Sequence, residues 1–143
     1  MNLVWRDQLS VGNDVIDTDH KYLIEIINRA GRDLQAKNLQ KLFVALDELS
    51  KYSVEHFARE EMIAHRVGYE QVPHLHQSHE SLLKHLDQVK NDIGKMEQAW
   101  SSEAAERFTN LLRNWLIDHV IKEDLLMKPT LQKYSPRFDP RLK

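Results

Sequence analysis

Apolar residues recur at alternating spacings of three and four along four long stretches of the chain, the period of one buried helix face. In the first stretch, from about Asp19, His20, Leu23, Ile27, Ala30 and Leu34 share a stripe. In the second, Leu42, Leu46, Leu49, Ser53, His56, Glu60 and Ile63 form one seam, and Asn38 is placed to cap its start. Gly68 suits a left-handed helix end, and Pro73 suits the first turn of the third helix, whose stripe is Leu75, His79, Leu82, Leu86, Val89, Ile93 and Met96. Ser101 or Ser102 can cap the fourth, where Phe108, Leu112, Trp115 and His119 align with Leu111 and Leu116 beside them, and Pro129 ends the pattern. The expectation is an all-α, up-and-down antiparallel four-helix bundle over residues 19–128. An extended N-terminal arm (1–18) carries the turn formers Gly12, Asn13 and Asp14, and a basic surface tail (129–143) carries Pro136 and Pro140.

Composition narrows the chemistry. With 143 residues the chain fits one domain, and four glycines with four prolines favour long helices over a loop-rich sheet fold. A net charge of −2 with both signs interspersed gives no footprint for nucleic acid. The lack of cysteine rules out disulfides, thiolate catalysis and iron–sulfur ligation. The start MNLVWRDQLSVGNDVID has no basic segment leading into an apolar run, and no stretch reaches the roughly 18–20 apolar residues of a membrane span. A cytoplasmic protein without a membrane partner is expected.

What the pattern does not explain as packing is its polar content. Histidines fall on core stripes of all four helices, and Glu60 and Asp124 accompany two of them. An ionised carboxylate buried without compensation costs several kcal/mol, and bound cations supply that compensation. His20 lies near the start of helix one, His56 and Glu60 near the end of helix two, His76 and His79 near the start of helix three, and His119 with Asp124 near the end of helix four. In an antiparallel bundle those places share one end. Imidazole with carboxylate suits first-row transition metals, iron among them. His65 and His85 fall off the stripes and are expected to be exposed, as a lone histidine usually is.

The segments DVIDTDHKYL, YSVEHFAREE, the stretch from Gly68–Tyr69 to QSHE, and DHVIKEDLLMKP resemble the bacterial hemerythrins, di-iron oxygen-binding bundles, from about Trp5 to Leu131. The resemblance implies two non-haem iron ions, with His20 and His56 on one and His76, His79 and His119 on the other. Glu60 and Asp124 would bridge them together with an oxo or hydroxo group, leaving one open position for dioxygen. One departure stands out. The resembled pattern sets two third-helix histidines four apart, and the first would fall on Leu75, which His74 and His76 flank. His76 is preferred because three residues from His79 keeps it near the same face, whereas His74, five away, points about 140° round the helix. His119 and Asp124 are also five apart, a spacing that calls for a π-type widening or a long reach.

The function implied is reversible dioxygen binding for storage, transport or delivery, without catalysis. Its basis is a histidine-rich ligand set; ferritin-like di-iron proteins use more carboxylates, with two Glu-x-x-His motifs. The alternatives are an oxygen, redox or nitric oxide sensor acting through a separate partner, and a peroxidase- or ferroxidase-like enzyme. Phe57, Ile121 and Leu23 are candidates to wall a dry pocket, and the sequence names no outer hydrogen-bond partner for the histidines.

Overall fold

The computed structural model describes residues 2–96 and 100–142; Met1 and Lys143, the extremes of the expected arm and tail, lie outside them. The regular elements among the described residues are all helices, with no strand. Three long helices, α1 (Asp14–Gln35), α2 (Leu39–Arg66) and α3 (Val72–Gly94), precede a composite fourth rod. That rod begins as α4 (Ser102–Asn114) and passes through a π-helical stretch (Trp115–Ile121). It then runs through α5 (Lys122–Asp124), a 3-10 turn (Leu125–Met127) and α6 (Lys128–Leu131). Each rod packs against the one before it in the chain, and the fourth closes against α1, giving the expected four-helix arrangement. No helix among the described residues is long and apolar enough to cross a membrane.

The ends form where the local chemistry directs. Asn38 caps α2 by accepting from the Lys41 amide, and Ser101 caps α4 by accepting from Ala104. Gly68 follows α2 at φ +72°, and Pro73 sits in the first turn of α3. Helix α1 begins five residues before the expected boundary. Asn13, read from sequence as part of a loop, is its N-cap, accepting from the Val15 and Ile16 amides, and Asp14 and Asp17 then occupy a first turn that favours acidic side chains. The tail is less loose than expected. Leu131 is buried, the Asn13 side chain donates to the Phe138 carbonyl at 2.9 Å, and the Asp14 amide donates to Pro136.

Apolar side chains divide into two clusters. A long one runs down the barrel from Leu23 through Leu46, Leu86 and Trp115 to Leu34 and Ile93. A short one closes one end with Val11, Ile16, Ile63, Ala64, Val67, Leu75, Met127 and Leu131. His20, Glu60, His79 and Asp124 each lie in the chain between a member of one cluster and a member of the other, with His56 one turn before Glu60.

Candidate metal centre

The α2 seam turns inward along its whole length, so Ser53, His56 and Glu60 are as buried as the leucines before them. Opposite, α1 contributes His20, α3 contributes His79, and the fourth rod contributes Asp124; all of these are buried. His20, His56, Glu60 and Asp124 each offer a ligand atom within 4.8 Å of the others. His20 Nε2 is 2.7 Å from Asp124 Oδ2, and His56 Nε2 is 3.0 Å from Glu60 Oε2 and 3.4 Å from Asp124 Oδ2. His79 joins through Nε2, 3.0 Å from Glu60 Oε1, with its ring stacked on Phe57 at 4.0 Å. Leu23, Phe57 and Ile121 are buried within the long cluster.

The structure therefore places five of the seven expected residues together. His76 and His119 stand apart from them. His76 is exposed, with Nδ1 2.6 Å from Glu61 and Nε2 2.9 Å from Glu80. Its neighbour Leu75, at 1% exposure, takes the inward place on that turn and packs into the short cluster. His74 is also exposed, 3.0 Å from Glu123. His119 was assigned to the core by a seam of uniform pitch. In the π-helical stretch the inward positions step by five, Trp115 to Val120 and Leu116 to Ile121, so His119 is left outside. It lies at an open groove beside His85, with ring centroids 6.1 Å apart. His65 and His85 are exposed, as expected.

An outer shell that the sequence did not disclose holds the inner residues. Asp19 accepts from His56 Nδ1 at 3.0 Å, from Tyr52 Oη at 2.6 Å and from Arg59 through two bonds of 2.9 Å. Glu61 accepts from His79 Nδ1 at 2.8 Å. Tyr52, His56 and Arg59, spaced four and three apart on α2, were the available signal of a common acceptor on the facing helix. Such partners fix the tautomer and direction of an imidazole.

Electrostatics favours a cation here. Burial, with Asp124 beside it, raises the Glu60 carboxyl to about 7. Asp124 stays below the usual carboxylate range; burial pushes it up, but hydrogen bonds from Glu60, His20 and His56 prevail. Burial pulls His20 down; it also opposes the charge on His56 and His79, yet the surrounding carboxylates hold both above the ordinary imidazole value. Glu60 Oε2 and Asp124 Oδ1 are fully buried without a hydrogen-bond partner. Two imidazoles and two carboxylates, each carboxylate with one unpartnered oxygen, fit a first-row divalent ion.

These shifts predict how the metal-free chain responds to pH. Glu60, His56 and His79 bind protons more tightly folded than unfolded, so the stability they contribute is present below their unfolded values and is lost as pH rises through the folded ones. Asp19 and Asp124 lie low, so their contribution is present above the ordinary carboxylate range and is lost in acid. Burial holds His20 below its ordinary value, so its contribution grows as pH rises to that value and offsets the loss at Glu60 between about pH 4.5 and 6.5. The metal-free melting temperature should change little over that range and fall from there to pH 8 as the contributions of Glu60, His56 and His79 are lost. The increment on adding metal should grow over the same interval, because ligation requires deprotonated donors. A metal-free melting temperature that climbs steadily from pH 5 to 8 would contradict the assignment.

Fold and site together define a four-helix bundle of the metal-binding class, with its four clustered donors drawn from α1, α2 and the fourth rod and His79 of α3 set against Glu60. The hemerythrin HHE cation binding domain matches residues 11–131, and the chain belongs to the hemerythrin family. It is similar to a bacteriohemerythrin of Pseudomonas aeruginosa (strain LESB58), 30% identical over 124 residues, 86% of this chain and 77% of that protein. It also resembles one from Stenotrophomonas maltophilia (strain R551-3), 27% identical over 95% of this chain and 86% of the relative. A third, from Methylococcus capsulatus, is 29% identical over 80% and 85%.

Proposed function

We propose that the chain binds iron at His20, His56, Glu60 and Asp124 and takes up dioxygen there reversibly, as a carrier or store in the cytoplasm rather than as a catalyst. The observation that carries the reading is the buried four-donor cluster, with its two unpartnered carboxylate oxygens, in a chain of the hemerythrin family. Bound iron would supply an electron-donating position for the gas. The protein's part is to hold that position rigid and dry. Asp19, fixed by Arg59 and Tyr52, orients the His56 ring, and Asp124 Oδ2 meets both His20 and His56. Apolar residues of both clusters limit water, which would otherwise promote loss of the gas in a reduced form. The imidazole available to any second ion beside Glu60 would be His79, whose Nε2 lies 3.0 Å from Glu60 Oε1.

The test is a visible spectrum of the anaerobically reduced, iron-loaded protein, recorded before air, after air and again after flushing with argon. A new absorption band that appears with air and disappears with argon is expected. A spectrum that changes once and never returns would replace carriage with irreversible oxidation.

A further inference from the structure

We infer that this chain holds one metal ion rather than a pair: the His20, His56, Glu60 and Asp124 position is complete, and the position beside His79 has lost its ligands. The inference rests on the metal-binding reading above but not on dioxygen.

The resemblance assigns three imidazoles to the second position, His76, His79 and His119, and the structure brings one of them, His79, to the carboxylates. Leu75 takes the inward place one helical turn before His79, where its side chain offers no donor. The place is filled, since Leu75 packs with Ile63, Val67, Met127 and Leu131. Turning His76 inward would break its contacts with Glu61 and Glu80 and drive Leu75 out of that packing into water. Exposing a fully buried leucine to water is unfavourable, so the arrangement resists exchange. His119 is outside for an independent reason. The π-helical stretch gives the inward places to Val120 and Ile121, both fully buried, and a rotation that brought His119 in would expose them. Among the described residues, His79 is the one further histidine in contact with the shared carboxylates.

The bonding of His79 also differs from that of the other two. Like His56 it faces a carboxylate with each nitrogen, Nδ1 to Glu61 and Nε2 to Glu60, but within the cluster it meets Glu60 Oε1 alone and lies outside the four-donor group. His20 and His56 instead aim Nε2 into the four-donor cluster. Glu60 is thereby split between two tasks. Oε1 is held by His79, and Oε2, the unpartnered oxygen, turns toward His56 and the cluster. His79 is a positioning residue here: it aims Glu60 at the ion without touching it.

Ferrous iron added anaerobically to the purified chain, followed by desalting and metal analysis, gives the count. One equivalent per chain is expected. After oxidation, an electron paramagnetic resonance signal of isolated high-spin ferric iron is expected at matching intensity. His76→Ala and His119→Ala should each keep one equivalent, because both residues are exposed and stand apart from the four donors. Two equivalents, with the silent spectrum of a coupled ferric pair, would overturn the inference and leave the metal-binding reading standing. So would loss of iron from His76→Ala or His119→Ala at unchanged helical content. No retained iron in the parent chain would overturn both.

Discussion

Replacing His56 with alanine is expected to abolish iron retention and to lower the melting temperature of the iron-loaded chain by roughly 10 °C. A ligand held at a thousand times its dissociation constant stabilises a fold by about 4 kcal/mol, and each kcal/mol moves the midpoint of a domain this size by about 2–4 °C. His56 contacts both carboxylates of the centre and its outer acceptor. Its Nε2 faces both Glu60 and Asp124, and its Nδ1 donates to Asp19. Without metal the same substitution should cost less, about 1–3 kcal/mol, because Asp19 keeps Arg59 and Tyr52 and Asp124 keeps His20. Paired thermal melts with and without iron separate the two effects. Unchanged iron content and an unchanged melting temperature would remove His56 from the centre.

Trp115→Ala should destabilise the chain by about 3–5 kcal/mol with or without metal. Trp115 is fully buried, and its indole N–H donates to the Leu82 carbonyl of α3 at 2.9 Å. It also opens the π-helical stretch and thus sets the register of the turns that carry Asp124 inward. Truncation removes the packing of the ring, the bond to α3 and the anchor of that register together. Trp115→Phe keeps most of the buried area and loses mainly the hydrogen bond, about 1 kcal/mol. Chemical denaturation of both variants checks the ranking. A Trp115→Ala cost below that of Trp115→Phe would show that the ring does not hold the rods together.

The helices that run straight were legible in the sequence. Every residue named on the α2 seam is buried, because an uninterrupted α-helix keeps one pitch and spacing alone locates its inner face. The fourth rod shows where this stops. Phe108, Leu112 and Trp115 follow the expected seam, and then the wider turn hands the inward role to Val120 and Ile121 instead of His119. The five-residue spacing of His119 and Asp124 hinted at widening but not at which partner would be displaced. On α3 the choice between His74 and His76 was made on angle, whereas the apolar end cluster decides the outcome by claiming Leu75. The start of α1 was missed because Gly12, Asn13 and Asp14 read equally as a loop and as a cap with an acidic first turn. Asp19 and Glu61 escaped notice because their roles depend on how neighbouring rods face each other, which no single-helix pattern records.

The short apolar cluster has a kinetic implication. Val11 and Ile16 come from the entry to α1, Met127 and Leu131 from the last turns of the fourth rod, and the Asn13 and Asp14 bonds to Phe138 and Pro136 tie the two segments together. The cover over the polar layer is thus stitched from both extremities of the bundle, the parts of a chain that fray most readily. Ion loading and escape would then follow the unstitching of that seal, leaving the long leucine-rich barrel intact while the cargo changes.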